Sequence, residues 1–163
     1  MKKIIIITIL LLVASGAYAQ EGKRIYNRYS DAEGVSAVYI SPAMFKLIGK
    51  IPELEVELEE GEMLDLAPLI SSFSGFYMLD VENQTLADEL SKEVDVLIGK
   101  GRYEMLMELK DSGSNLRMYT AGSEKTVESF VFIATDSGEV QFICIDGSMN
   151  RTDVEDLIAK AID

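Results

Sequence analysis

Two absences set what chemistry this chain has available. Histidine does not occur, and cysteine occurs once, at Cys144. Without histidine the usual general base and the commonest transition-metal ligand are missing. Ser/His/Asp and Cys/His nucleophile systems are therefore excluded, and one cysteine cannot build a structural zinc site. Carboxylates remain, as 28 Asp and Glu residues. In Pro52–Glu60 acids alternate with aliphatic residues, and Glu55, Glu57, Glu59 and Asp65 are the candidates for an oxygen-ligand metal such as calcium. Hard cations need several carboxylate oxygens converging on one point, whereas a regular alternation spreads them along a line. The stretch therefore reads as a solvated edge segment whose charges discourage strand-to-strand association. Asp153, Glu155 and Asp156 open the last helical pattern and complement its dipole.

Other constellations read the same way. Met105, Met107 and Met118 have the soft thioether chemistry that binds Cu(I), but methionine at alternating positions is ordinary packing. Ser91-Lys92, or Lys125 with a neighbouring serine, matches no nucleophile spacing. A paired-carboxylate glycosidase needs two acids set across a cleft, and with this many acids spacing selects none. Asn83-Gln84-Thr85 and Asn150-Arg151-Thr152 fit the glycan acceptor pattern but stand where helices need caps. Cys144 lies among Phe142, Ile143 and Ile145, with nothing electropositive to activate a thiol, and is expected to be a small buried hydrophobe. No catalytic residue, cofactor site or enzyme activity is expected. The alternative is a carboxylate-dependent hydrolase or a calcium-binding module.

The elements that position these residues follow from periodicity. TVESFVFIATDSGEVQFICIDG, Thr126–Gly147, is a hairpin turning at Asp136-Ser137-Gly138-Glu139 with a left-handed Gly138. Its arms are apolar on both faces, which places it centrally in a sheet. Val35–Ile40 and Gly75–Val81 are strands. Ser41-Pro42 caps a helix ended by Gly49, Glu62–Phe73 is a short helix, and Asn83 caps a helix carrying Leu86, Leu90, Val94 and Leu97 on one face. From residue 103 the chain is a meander, with Tyr103, Met105, Met107 and Leu109 on one side and Leu106 as the exception. A capped amphipathic helix ends the chain. Turns this short make consecutive strands antiparallel. The fold class is α+β: a mainly antiparallel sheet, with a C-terminal four-strand meander and one or two N-terminal strands, packed with amphipathic helices.

The N-terminus carries Lys2-Lys3, a short apolar run to Val13, and Ala17-Tyr18-Ala19, the three parts of a secretory signal peptide. The run is too short to span a bilayer, so cleavage is expected near Ala19. Removing residues 1–19 takes two lysines and no acid, leaving 13 basic and 28 acidic residues, a net charge of −15 over 144 residues. So acidic a surface repels nucleic acid and anionic lipid. Residues 20–34 read as a polar lead-in, locally basic at Lys23, Arg24 and Arg28, and residues 35–163 as one domain.

The order of SPAMFKLIG, LISSFSGFYMLDVEN, GRYEMLMELKDSGSNLRMYT and VESFVFIATDSGEVQFICIDGSM resembles the uncharacterised family of small exported Bacteroidetes proteins classed as the domain of unknown function DUF4252. The resemblance runs from about Ser41 to the end. It implies an envelope location, an α+β fold and a link to envelope-stress sensing, and it assigns no activity and no site residues. The acidic alternation at Glu53–Glu60 is outside the family pattern. The expected function is that of an exported, non-catalytic envelope protein, periplasmic or envelope-associated, that binds another envelope protein or peptide or self-associates through an exposed sheet face.

Overall fold

The computed structural model describes residues 21–49, 55–57, 63–65 and 67–162. The signal-peptide segment and the candidate ligand Glu59 lie outside the described residues. The elements run α1 (Glu21–Tyr29), β1 (Val35–Ile40), α2 (Pro42–Ile48), β2 (Glu55–Glu57), β3 (Met63–Asp65), α3 (Ala67–Ser71), β4 (Phe73–Val81), α4 (Gln84–Gly99), β5 (Tyr103–Asp111), β6 (Ser114–Gly122), β7 (Thr126–Asp136), β8 (Glu139–Asn150) and α5 (Arg151–Ile162). Six strands form one antiparallel sheet in the order β1-β4-β8-β7-β6-β5. The α+β class and the four-strand meander are as expected, with β1 and β4 as the N-terminal strands and the β7–β8 hairpin at the centre.

Local chemistry explains the boundaries. Ser41 Oγ accepts the Met44 N–H at 3.3 Å with Pro42 at the first turn, and Asn83 Oδ1 accepts the Leu86 N–H at 3.2 Å. Asn150 Oδ1 accepts the Thr152 N–H at 2.9 Å at the start of α5. Both asparagines of the glycan-like triplets thus serve as caps. In the β7–β8 turn Ser137 and Gly138 have φ of 50° and 91°. Two consecutive positive φ values match the right-handed strand twist, and glycine takes the second without strain.

One face of the sheet carries the core. Leu79, Val81, Val131, Ile133, Val140, Phe142 and Cys144 pack under Ile25 and Tyr29 of α1 and Ala87, Leu90, Val94 and Leu97 of α4. A smaller cluster of Val127, Met149 and Val154, with Leu69, Phe73 and Phe130 against it, lies at one end of the opposite face.

Three expectations are corrected. Residues 21–29, read as part of a polar lead-in, form a helix whose Ile25 and Tyr29 are buried. Its apolar stripe is only Gly22, Ile25 and Tyr29, at helical spacing but hidden among charges. The expected helix Glu62–Phe73 is instead β3 followed by α3, with β4 starting at Phe73. The acidic alternation contributes β2, which pairs with β3 as a separate two-stranded sheet and is no edge of the main one.

Candidate functional site

Register decides which side chains share a face. The two-residue turn after Asp136 opposes Asp136 to Glu139, so Val131 faces Cys144 and Phe132 faces Ile143. Val131 and Ile133 therefore lie under the helices, while Ile143 and Ile145 lie on the other face with Phe132 and Phe130. The hairpin's two-sided apolarity therefore divides by register, with Val131 and Ile133 on one face and Ile143 and Ile145 on the other. Across the sheet, Val38, Met78, Ile143, Phe132, Met118 and Met107 stand in one cross-strand row. All six are apolar, and none belongs to either buried cluster. Val38 is 46% and Met107 38% exposed, with Leu109 beside them at 54%. Ile40, Phe76, Ile145 and Phe130 form the adjacent row.

A bulge shapes the end of this face. The β5–β6 register shifts between Met105 and Met107, leaving Leu106 as the extra residue. Tyr103 and Met105 consequently point to the helix side and Met107 and Leu109 to the open side. This corrects the one-sided reading of that strand. It also separates the methionines: Met107 opposes Met118, whereas Met105 opposes Tyr119 on the other face, so the three thioethers do not converge.

Glu55 stands opposite Asp65 in the β2–β3 register and Glu57 opposite Met63. Among the described residues no group of three or more His, Cys, Asp or Glu side chains is placed to hold a metal ion. Ser123 Oγ accepts the backbone N–H groups of Lys125 and Thr126 at 3.3 and 3.2 Å, which makes it a turn residue and not a nucleophile partner. Lys92 lines an open cleft of about 510 Å³ between α1 and α4. There Glu93 holds α1 in place, pairing with Arg24, with Arg28 at 3.2 Å and with the Tyr29 hydroxyl at 2.9 Å. The basic stretch thus docks on an acid of the body.

Sequence reasoning missed a buried polar cluster at the end of the core. Cys144 Sγ donates to Asp146 Oδ1 at 3.4 Å and lies 3.6 Å from Ser129 Oγ. Asp146 is 1% exposed, and among the described residues its Oδ2 has no hydrogen-bond partner. Burial pushes the Asp146 carboxyl up to about 6, with Ser129 and Cys144 pulling it back. Burial and the neighbouring Asp146 push the Cys144 thiol well up. A thiol held neutral and shut from solvent is the opposite of an activated nucleophile. The one sequence signal for the cluster was an aspartate at an inward position of an apolar strand.

The open apolar face is thus the feature among the described residues best suited to meet something outside the chain. Residues 29–157 match the family model described as a domain of unknown function, DUF4252. The chain belongs to that family. It matches no curated protein. The match begins at Tyr29 and so leaves most of α1 outside the family segment. Among the described residues no helix is long and apolar enough to cross a membrane.

Proposed function

We propose that this family member is an exported, non-catalytic protein of the cell envelope that binds another protein or peptide on the open face of its sheet. The observation carrying this reading is the apolar row Val38–Met78–Ile143–Phe132–Met118–Met107, which crosses all six strands outside the core. Contiguous exposed apolar surface on a soluble domain marks an interaction site. The envelope location is supported by the tripartite N-terminus ending at Ala17-Tyr18-Ala19. The non-catalytic reading is supported by the buried, unactivated Cys144 and by the lack, among the described residues, of a group of three or more acids placed to hold a metal ion.

Two measurements test it. The protein recovered from expressing cells should begin at Gln20 by intact mass, and an uncleaved N-terminus would remove the export half. A photo-crosslinking residue placed at Met118 should give a discrete adduct in the envelope fraction, while the same residue at Val96, exposed on α4, should not. Equal labelling at both positions, or at neither, would remove the binding half.

A further inference from the structure

The sheet ends on β5, a nine-residue strand whose outer backbone edge is unpaired among the described residues. Every residue from Glu104 to Asp111 is exposed. An edge of this length is a template for another strand unless its side chains forbid pairing. Its charges are of mixed sign: Glu108 and Lys110 lie two apart on one face, bridged to each other at 3.0 Å, while Leu109 points to the open face between them.

We infer that β5 pairs antiparallel with β5 of a second copy of this chain, in the register that sets Leu109 opposite its own equivalent. Two edges meeting antiparallel are related by a two-fold axis normal to the sheet. That axis keeps both open faces on the same side, so opposed residues must share a face and their numbers must sum to an even value. In the register centred on Leu109, Glu108 of each copy stands opposite Lys110 of the other, and Met107 stands opposite Asp111. Two cross-strand ion pairs then flank an apolar contact of two leucines. Moving the centre to residue 108 sets glutamate against glutamate, and moving it to 110 sets lysine against lysine, both unfavourable. Centring on 107 drives the Leu106 bulge into the ladder. One register therefore combines opposite charges with an unbroken ladder, and this self-complementary order selects a second copy over an unrelated strand. Pairing places the two apolar faces side by side in a sheet of twelve strands. The inference does not depend on what covers that face.

Five residues per edge bury less than the standard interface of roughly 800 Å² per partner, and the net charge of −13 opposes association. The dimer is accordingly weak and concentration-dependent. Sedimentation velocity of the protein purified from expressing cells, from about 1 µM to about 1 mM, should show a monomer–dimer equilibrium. Lys110→Glu and Glu108→Lys should each weaken it about tenfold, since two attractive pairs become two repulsive ones. An equimolar mixture of these two variants should form a heterodimer, and the double variant Glu108→Lys/Lys110→Glu should dimerise again within about threefold of the parent. Circular dichroism confirms that each variant is folded. A protein that stays monomeric to about 1 mM, association indifferent to these changes, or failure of both the mixture and the double variant to recover it would overturn the inference.

Discussion

Asp146 is the residue where burial and charge conflict most directly. Its folded carboxyl titrates at about 6 against an ordinary 3.8, so the folded state holds this proton more tightly than the unfolded state does. The sign follows from linkage. Below both values the proton is bound in either state and the contribution to stability is complete. As pH rises between them the unfolded chain releases its proton first, and stability falls. Above about 6 the loss levels off, at roughly 2–3 kcal/mol. Asp146→Asn keeps the acceptor for Cys144 and removes the charge. It should be more stable than the parent by about 1–2 kcal/mol at pH 7.5 and lose that advantage near pH 4. Urea unfolding at the two pH values checks this, and an equal difference at both would show that Asp146 does not ionise within this interval.

At the scale of the element, α1 is held by close packing on one side and by charge on the other. A Cβ on Gly22 would lie 2.3 Å from Cys144 Sγ and 2.9 Å from its Cβ, so backbone and strand meet here with no room for a side chain. On an exposed helix Gly→Ala stabilises by about 1 kcal/mol. Here overpacking reverses the sign, and Gly22→Ala should cost about 1–3 kcal/mol. Hydrogen exchange should quicken across residues 21–29 ahead of β7 and β8. Adding Cys144→Ala frees the space and should recover part of the loss, whereas additive destabilisation in the double variant would refute the contact. Glu93 meets the outer side of the same helix with two arginines and the Tyr29 hydroxyl. This packing joins α1 to the domain core although the family match begins only at its last residue.

Over the whole molecule the two faces of the sheet differ in burial despite similar composition. Val131 is fully buried beneath the helices, while Met118, on the neighbouring strand and the opposite face, is half-buried. A charge on the core face would be desolvated without a partner, but a lysine on the open face can extend to water. Val131→Lys should therefore abolish cooperative unfolding. Met118→Lys should move stability by less than about 1 kcal/mol. If the two substitutions prove equally damaging in denaturant unfolding, the open face is core. The acidic character of the chain acts at this scale too, since a net charge of −13 keeps copies apart except where opposite charges are matched.

Much of the fold was legible in the sequence because the signals concerned are local. Alternation marked β7 and β8, helical spacing marked α4, and Ser41, Asn83 and Asn150 marked the caps. Turns of a few residues could only join antiparallel neighbours, and the apolar neighbours of Cys144 already pointed to its burial. The rest was decided by contacts between segments far apart in the chain. One extra residue at Leu106 and a two-residue turn at Ser137-Gly138 set which apolar side chains face the helices, because a shift of one residue exchanges the faces of a strand. The stripe on α1 became meaningful only when a sheet and Glu93 stood ready to receive it. Asp146 looked like any of 28 acids until Gly22, Tyr103, Ser129 and Cys144 closed around it. The sequence alone determined the strongly periodic strands and capped helices and, through the absence of histidine, which nucleophile systems are absent. Only the tertiary structure decided which face is core and which stands open, since facing depends on register, and register is a property of paired strands.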